Sequence, residues 1–183
     1  FISGFTGVFI QESLHSKGIK TDFIHLKEGF SRINMKVKTI VDETEINGVG
    51  PAISKEDIAK LYAQFDGLTA EDVLVLAGSI PGTLPDNFYE EIMKHLENKG
   101  VKIVVDATKN LLLNVLKYRP FLIKPNHHEI AEMFNVEIKS IDELLVYGRK
   151  LKEMGAQNVL ISMGGDGAVL ITENDDVFQS NVP

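Results

Sequence analysis

Residues 101–134, VKIVVDATKNLLLNVLKYRPFLIKPNHHEIAEMF, decide the fold. Val101 to Val105 form a short, nearly continuous apolar run, as expected of a strand buried on both faces. Lys109 to Leu116 reads as a helix, Phe121-Leu122-Ile123 as a second short strand, and Asn126 to Phe134 as a second helix. Strands of three to five apolar residues alternating with helices mean βαβ units and a mostly parallel sheet covered on both faces.

The same rhythm extends outward. Upstream, Ser54 with Asp57 opens a helix to about Gln64, Val73 to Ala77 is a strand ending at Gly78-Ser79, and Pro85-Asp86 starts a helix to Lys99. Downstream, Ser140 caps a helix to Met154, and the strands Val159–Ile161 and Ala168–Ile171 flank the turn Gly164-Gly165-Asp166-Gly167. The first fifty residues differ. Thr6 to Lys17 reads as a helix with Thr6 as N-cap and Gly18 at C′, followed by an extended stretch from Thr21 to Leu26. From Arg32 to Lys38, Ile33, Met35 and Val37 alternate with Arg32, Asn34, Lys36 and Lys38, which predicts a half-buried strand. Thr44 to Asn47 returns as its antiparallel partner.

Composition narrows the function. The chain has 183 residues, 19 Lys+Arg against 26 Asp+Glu, and a net charge of −7. In an overall acidic chain with no basic cluster of five or more, nucleic acid is a poor partner. No apolar run approaches the roughly 20 residues of a membrane span, so no membrane partner is expected. The absence of cysteine excludes disulfides, thiolate metal sites and cysteine nucleophiles, and fits a reducing, cytoplasmic setting. The ends, Phe1-Ile2-Ser3-Gly4 and Val177-Phe178-Gln179-Ser180, read as strand tails, and the expectation is a piece of a longer protein.

In open parallel sheets, ligands bind beyond the carboxyl ends of the strands. Four polar or Gly-rich segments fall there: Gly78-Ser79-Ile80-Pro81, Asp106-Ala107-Thr108, Lys124 to Glu129, and Ser162 to Gly167. Asn126 and Glu129 have the spacing of a helix capping box, which any helix can use. In a site, Lys124 and the helix N-terminus would instead face phosphate oxygens, with Glu129 acting on Mg²⁺. His127 and His128 should point apart and have no third ligand spaced to join them. Ser162-x-Gly-Gly-x-Gly167 is either a plain hairpin turn or a backbone phosphate cradle. It is neither a P-loop nor a dinucleotide fingerprint. Arg32, Asn34 and Lys36 share one strand face, which suits a sugar phosphate or merely a solvated edge.

In order, Ser31-Arg32-Ile33-Asn34-Met35-Lys36, Glu43-Thr44-Glu45-Ile46-Asn47-Gly48, Gly78-Ser79-Ile80-Pro81, Lys124-Pro125-Asn126-x-x-Glu129 and Ser162-x-Gly-Gly-x-Gly167 resemble the PfkB/ribokinase family of sugar kinases. The resemblance implies a three-layer α/β/α ribokinase-like fold over residues 1–183, with lid strands inserted at about 21–47. It further implies ATP-dependent phosphorylation of fructose 1-phosphate to fructose 1,6-bisphosphate. A tagatose 6-phosphate or fructose 6-phosphate acceptor, and a non-catalytic sugar-phosphate-binding domain, remain open. Arg32, Asn34, Lys36 and Ser79 would bind the sugar phosphate. Lys124, Asn126, Ser162, Gly164, Gly165 and Gly167 would bind ATP, and Glu129 with Asn126 would serve Mg²⁺. A homodimer through the β lid is a further implication. The family's N-terminal sugar-binding Asp and Gly-Gly-Lys-Gly-x-Asn segment have no counterpart in this sequence. Neither does its C-terminal Gly-Ala-Gly-Asp, which carries the catalytic base. These are expected upstream of Phe1 and downstream of Pro183, which would leave the chain as written inactive.

Overall fold

The structure, a computed structural model, describes residues 1–107 and 109–182. The chain divides into two units, one formed by residues 1–67 with 81–85 and the other by 68–80 with residues from 86 onward.

In the first unit, Ile2 forms a parallel bridge to His25, with Ile2 N–H donating to the Ile24 carbonyl at 3.0 Å and Leu26 N–H to the Ile2 carbonyl at 2.9 Å. Ile2, Ile24 and Leu26 are buried around it. This bridge is all the β structure that the extended stretch Thr21–Leu26 supplies. Helix α1 (Gly4–Ser16) starts two residues before the expected N-cap, Thr6, and its capping position is Ser3. The Ser3 hydroxyl is diverted to the Glu28 and Gly29 carbonyls at 2.7 and 3.1 Å, and the Thr6 hydroxyl donates to the Ser31 carbonyl at 2.8 Å. Tertiary hydrogen bonds have displaced the local cap. Gly4 has φ +59°, and a Cβ there would lie 2.6 Å from the Gly29 carbonyl oxygen, so this close approach requires glycine.

Strands β1 (Asn34–Lys38) and β2 (Glu43–Asn47) form an antiparallel ribbon, with Met35 opposite Ile46 and Lys36 opposite Glu45. The alternation is as expected but the burial is not: Ile33, Met35, Val37 and Ile46 are exposed, because nothing in this unit covers the ribbon's apolar face among the described residues. Helix α2 (Lys55–Asp66) starts as expected. The Ser54 hydroxyl accepts from Asp57 N–H at 3.1 Å and donates to the Asp57 carboxylate at 2.6 Å.

The second unit runs β3 (Val73–Ala77), α3 (Phe88–Leu96), β4 (Lys102–Asp106), α4 (Lys109–Val115), β5 (Leu122–Ile123), α5 (His127–Phe134), α6 (Ile141–Glu153), β6 (Asn158–Ser162), β7 (Ala168–Ile171) and β8 (Val177–Ser180). Its six-stranded sheet follows chain order, parallel from β3 to β6 and antiparallel for β7 and β8. Val105, Ile123, Val159, Ile161 and Val169 are fully buried, with Leu112, Ile130 and Leu151 from the helices. Coverage on both faces fails at β3, where Val73 and Val75 are each 58% exposed. β3 is an edge strand of this sheet, and nothing in its unit packs on that face among the described residues.

Candidate active site

Because β3 to β6 run parallel, Gly78 to Ile80, Asp106 with Ala107, Lys124 to Glu129 and Ser162 to Gly167 follow strand ends on one rim of this sheet; Pro81 belongs to the first unit, and Thr108 falls outside the described residues. Beyond β3, Gly78 takes φ +87°, and its N–H donates to the Asp106 carbonyl at 3.2 Å. Ser79 follows and is exposed. Beyond β5, the chain stays in register for one more residue, with Lys124 N–H donating to the Val105 carbonyl at 3.0 Å. The Lys124 ammonium then lies 3.2 Å from the Asp106 carboxylate. Pro125 ends the strand, and its carbonyl accepts from Ser162 N–H at 3.1 Å. Asn126 and Ser162 thereby form a single parallel bridge that ties the start of α5 to the end of β6.

The capping box is complete. The Asn126 Oδ1 accepts from Glu129 N–H, and Glu129 Oε2 accepts from Asn126 N–H, both at 2.8 Å. His127 Nδ1 is 3.3 Å from the Ser162 carbonyl; since a carbonyl only accepts, Nδ1 carries the proton. The two histidines do not point apart as expected. In this first turn their rings come together, centroids 3.9 Å apart, with His127 held by the Ser162 carbonyl. Among the described residues, no group of three or more His, Asp and Glu side chains forms that could hold a metal.

After β6 the Gly-rich segment forms one turn of 3₁₀ helix, Gly164–Asp166, closed by Met163 N–H to the Gly167 carbonyl at 2.8 Å. Gly164 and Gly167 have φ +60° and +91°. A Cβ on Gly164 or Gly165 would meet nothing within 4 Å, whereas one on Gly167 would lie 1.9 Å from the Ser180 carbonyl oxygen. The turn borders a cleft of about 600 Å³ lined by His127, Ser140, Leu144, Met163, Gly165 and Asp166. That volume is in the range of small-molecule and nucleotide sites.

Arg32, Asn34 and Lys36 lie in the other unit. Arg32 borders a cavity of about 470 Å³ with Phe5, Phe30 and Pro51. The face they share is less basic than expected, because register places Glu45 and Glu43 on it. Lys36 pairs with Glu45 at 2.5 Å and Glu43 at 3.4 Å. Both carboxylates, Glu45 foremost, raise the Lys36 ammonium above its ordinary range, and Lys36 lowers Glu45 in return.

Two rim residues had no role assigned from sequence. Asp106, the partner of Lys124, was visible only as a polar residue ending a strand. Tyr89 of α3 is buried, and its hydroxyl lies 2.8 Å from the Ala77 carbonyl and 3.1 Å from that of Gly78. The signal was slight: a phenol on an apolar helix face needs a partner for its hydroxyl.

A parallel sheet whose carboxyl rim gathers a lysine, a capped helix start and a glycine turn is an arrangement able to hold phosphate oxygens. Residues 2–183 match the pfkB family carbohydrate kinase, and the chain belongs to that family. It is 47% identical over 183 residues to the 1-phosphofructokinase of Bacillus subtilis and 40% to that of Borreliella burgdorferi, covering all of this chain and 59% of each relative. It is 36% identical over 172 residues to the D-tagatose-1-phosphate kinase of Bacillus licheniformis, covering 93% of this chain and 56% of that one. The chain therefore spans about three-fifths of the length of these curated relatives. Phosphofructokinase-2 from Escherichia coli, at 21% identity, superposes with a TM-score of 0.88 over 100% of this chain and 60% of its own, so the ribokinase-like α/β fold is shared. No helix among the described residues is long and apolar enough to cross a membrane.

Proposed function

We propose that the protein transfers the γ-phosphoryl group of ATP to the free primary hydroxyl of fructose 1-phosphate, giving fructose 1,6-bisphosphate. The 47% and 40% identical relatives named 1-phosphofructokinase support this acceptor over tagatose and fructose 6-phosphates. The observation that carries the reading is the juxtaposition of Lys124, the Asn126–Glu129 cap and the Gly164–Gly167 turn at adjoining strand ends. A non-catalytic sugar-binding domain has no use for that combination.

In this reading the acceptor oxygen bonds to the γ-phosphorus while the bond to the β-phosphate oxygen breaks, and ADP leaves with the electron pair. Catalysis is then mainly positioning and charge stabilisation. Lys124 offers an ammonium to the phosphates, exchanging its Asp106 contact for theirs. Backbone N–H groups of the α5 start and of Gly164 and Gly165, with the Ser162 hydroxyl, orient the nucleotide, whose nucleoside fits the 600 Å³ cleft, while Gly167, its N–H donated to the Gly164 carbonyl at 3.2 Å, shapes the turn. The donors fit Mg²⁺, which is usually held by one or two carboxylates plus phosphate oxygens and water rather than by a protein cage. Glu129, with Asn126, would hold it, and the bound ion would offset charge on the phosphate oxygens. Arg32 and Asn34 bind the sugar phosphate, Lys36 joins them by giving up Glu43 or Glu45, and Ser79 contacts the sugar. The base that takes the hydroxyl proton is assigned to no residue of this chain.

The test is production of fructose 1,6-bisphosphate by the full-length protein from Mg-ATP and fructose 1-phosphate, read with a coupled aldolase assay. Turnover confined to another ketose phosphate refutes the acceptor, and absence of turnover with any refutes the activity. The exposed face of Ile33, Met35, Val37 and Ile46 supports self-association through the lid. Met35→Lys should then shift a sedimenting dimer to monomer, and an unshifted dimer would place the contact elsewhere.

A further inference from the structure

We infer that Tyr89 is a positioning residue for Ser79: its phenol pins the Gly78 turn that presents the Ser79 hydroxyl to the sugar. The inference rests on the reading of Ser79 as a sugar contact.

The turn needs pinning. Gly78 and Ser79 are exposed and follow an edge strand, and Gly78 at φ +87° is in a region that glycine enters and leaves freely. On the β4 side it is held by Gly78 N–H donating to the Asp106 carbonyl at 3.2 Å. Tyr89 supplies the restraint from the helix side, its hydroxyl shared between the Ala77 and Gly78 carbonyls. These carbonyls bracket Gly78, so the shared bond resists rotation about its φ and ψ. The anchor itself is firm, since Tyr89 is 8% exposed among buried Phe88, Ile92, Met93 and Leu96. Burial, and then the charge of Asp106, push the phenol pKa up, so the hydroxyl stays a donor across the working range. A phenol buried only for packing could have satisfied its hydroxyl on any carbonyl. This one holds the two that fix where Ser79 points.

The experiment compares Tyr89→Phe, Ser79→Ala and the double variant in the full-length protein. Tyr89→Phe keeps the ring and its packing. Loss of a buried hydrogen bond should raise KM for fructose 1-phosphate roughly 3- to 12-fold and leave KM for ATP unchanged. In the Ser79→Ala background the same change should add less than about two-fold, since the hydroxyl it positions is gone. Amide exchange at Ser79 and Ile80, measured without substrate, should quicken in Tyr89→Phe. If Ser79→Ala raises the sugar KM and Tyr89→Phe does not, the inference fails while the reading of Ser79 stands. Equal multiplicative losses in both backgrounds, or unchanged exchange, make Tyr89 merely structural and overturn it. A silent Ser79→Ala removes the reading of Ser79 and the inference with it.

Discussion

Glu129→Gln separates the capping bond that Glu129 makes from the metal role proposed for it. Glu129 Oε2 accepts from Asn126 N–H at 2.8 Å, closing the capping box. Glutamine at the third helical position offers a carbonyl oxygen of the same reach, so the cap persists. What disappears is a negative charge at a helix N-terminus, worth about 0.3–1 kcal/mol at a half-exposed site. For a domain of this size, that lowers the melting temperature by no more than about 4 °C. If Glu129 also holds Mg²⁺, kcat should fall roughly 100-fold or more, as when a preorganised charge at a transferring group is removed. Raised Mg²⁺ or Mn²⁺ should restore part of it, because the ion binds more weakly rather than not at all. The assay is kcat against Mg²⁺ concentration for wild type and Glu129→Gln in the full-length protein, beside melting curves with and without Mg-ATP. Wild-type kcat with wild-type metal dependence would refute the metal role. A large fall in melting temperature with no change in metal dependence would leave Glu129 as a cap alone.

Arg32→Ala should raise the sugar-phosphate KM roughly 10- to 150-fold while sparing that of ATP, the effect of losing a charged contact worth about 1.5–3 kcal/mol. An unchanged sugar KM returns Arg32 to a solvated strand edge. Gly167→Ala would force a Cβ to 1.9 Å from the Ser180 carbonyl oxygen at φ +91°, and urea titration should show a loss of about 3 kcal/mol or more. An unchanged midpoint would mean the turn yields freely. Asp57 is held below the usual carboxylate range by the Lys60 ammonium and then by the Ser54 hydroxyl. A depressed folded pKa stabilises above the unfolded value near ~3.9 and is lost as pH falls through the folded one. The stability gap between wild type and Asp57→Asn should therefore be full at pH 7 and shrink below about pH 4, and a pH-independent gap contradicts the pairing.

The second unit was legible in sequence because its strands and helices have no competing readings. Val105 and Ile123 sit in apolar runs too short for helices, and Asn126 and Ser140 cap where their spacing says they should. What failed was tertiary. Ser3 and Thr6 spend their hydroxyls on distant carbonyls, so the α1 start could not be read from local capping preference. Period two in Arg32–Lys38 told which side chains share a face, but whether the apolar face is covered depends on other elements. The Glu43 and Glu45 carboxylates that compensate Lys36 follow from register, which alternation alone leaves undetermined. The rim could be assembled from sequence because strand ends of a parallel sheet converge. Its internal bonds, Lys124 to Asp106 and Tyr89 to the Gly78 turn, could not.

The capping box at Asn126 and Glu129 looked from sequence like a choice between a structural and a chemical role. In this geometry the two roles are compatible. A carboxylate offers about four lone-pair directions, and the cap takes one of them, on Oε2. That one bond fixes the side chain against the first turn of α5, where the entropy of ordering it is already spent on folding. A metal ion arriving at the rim would then meet a carboxylate held in place, rather than one that must be ordered on binding. The same holds one strand over. Asn126 is locked to Ser162 by the bridge between α5 and β6, so the Gly164–Gly167 turn and the Lys124 side chain spring from backbone tied together at 3.1 Å. Removing the cap as a whole, by Asn126→Ala, should therefore disturb metal dependence and stability together, which is the behaviour that Glu129→Gln is designed to pull apart.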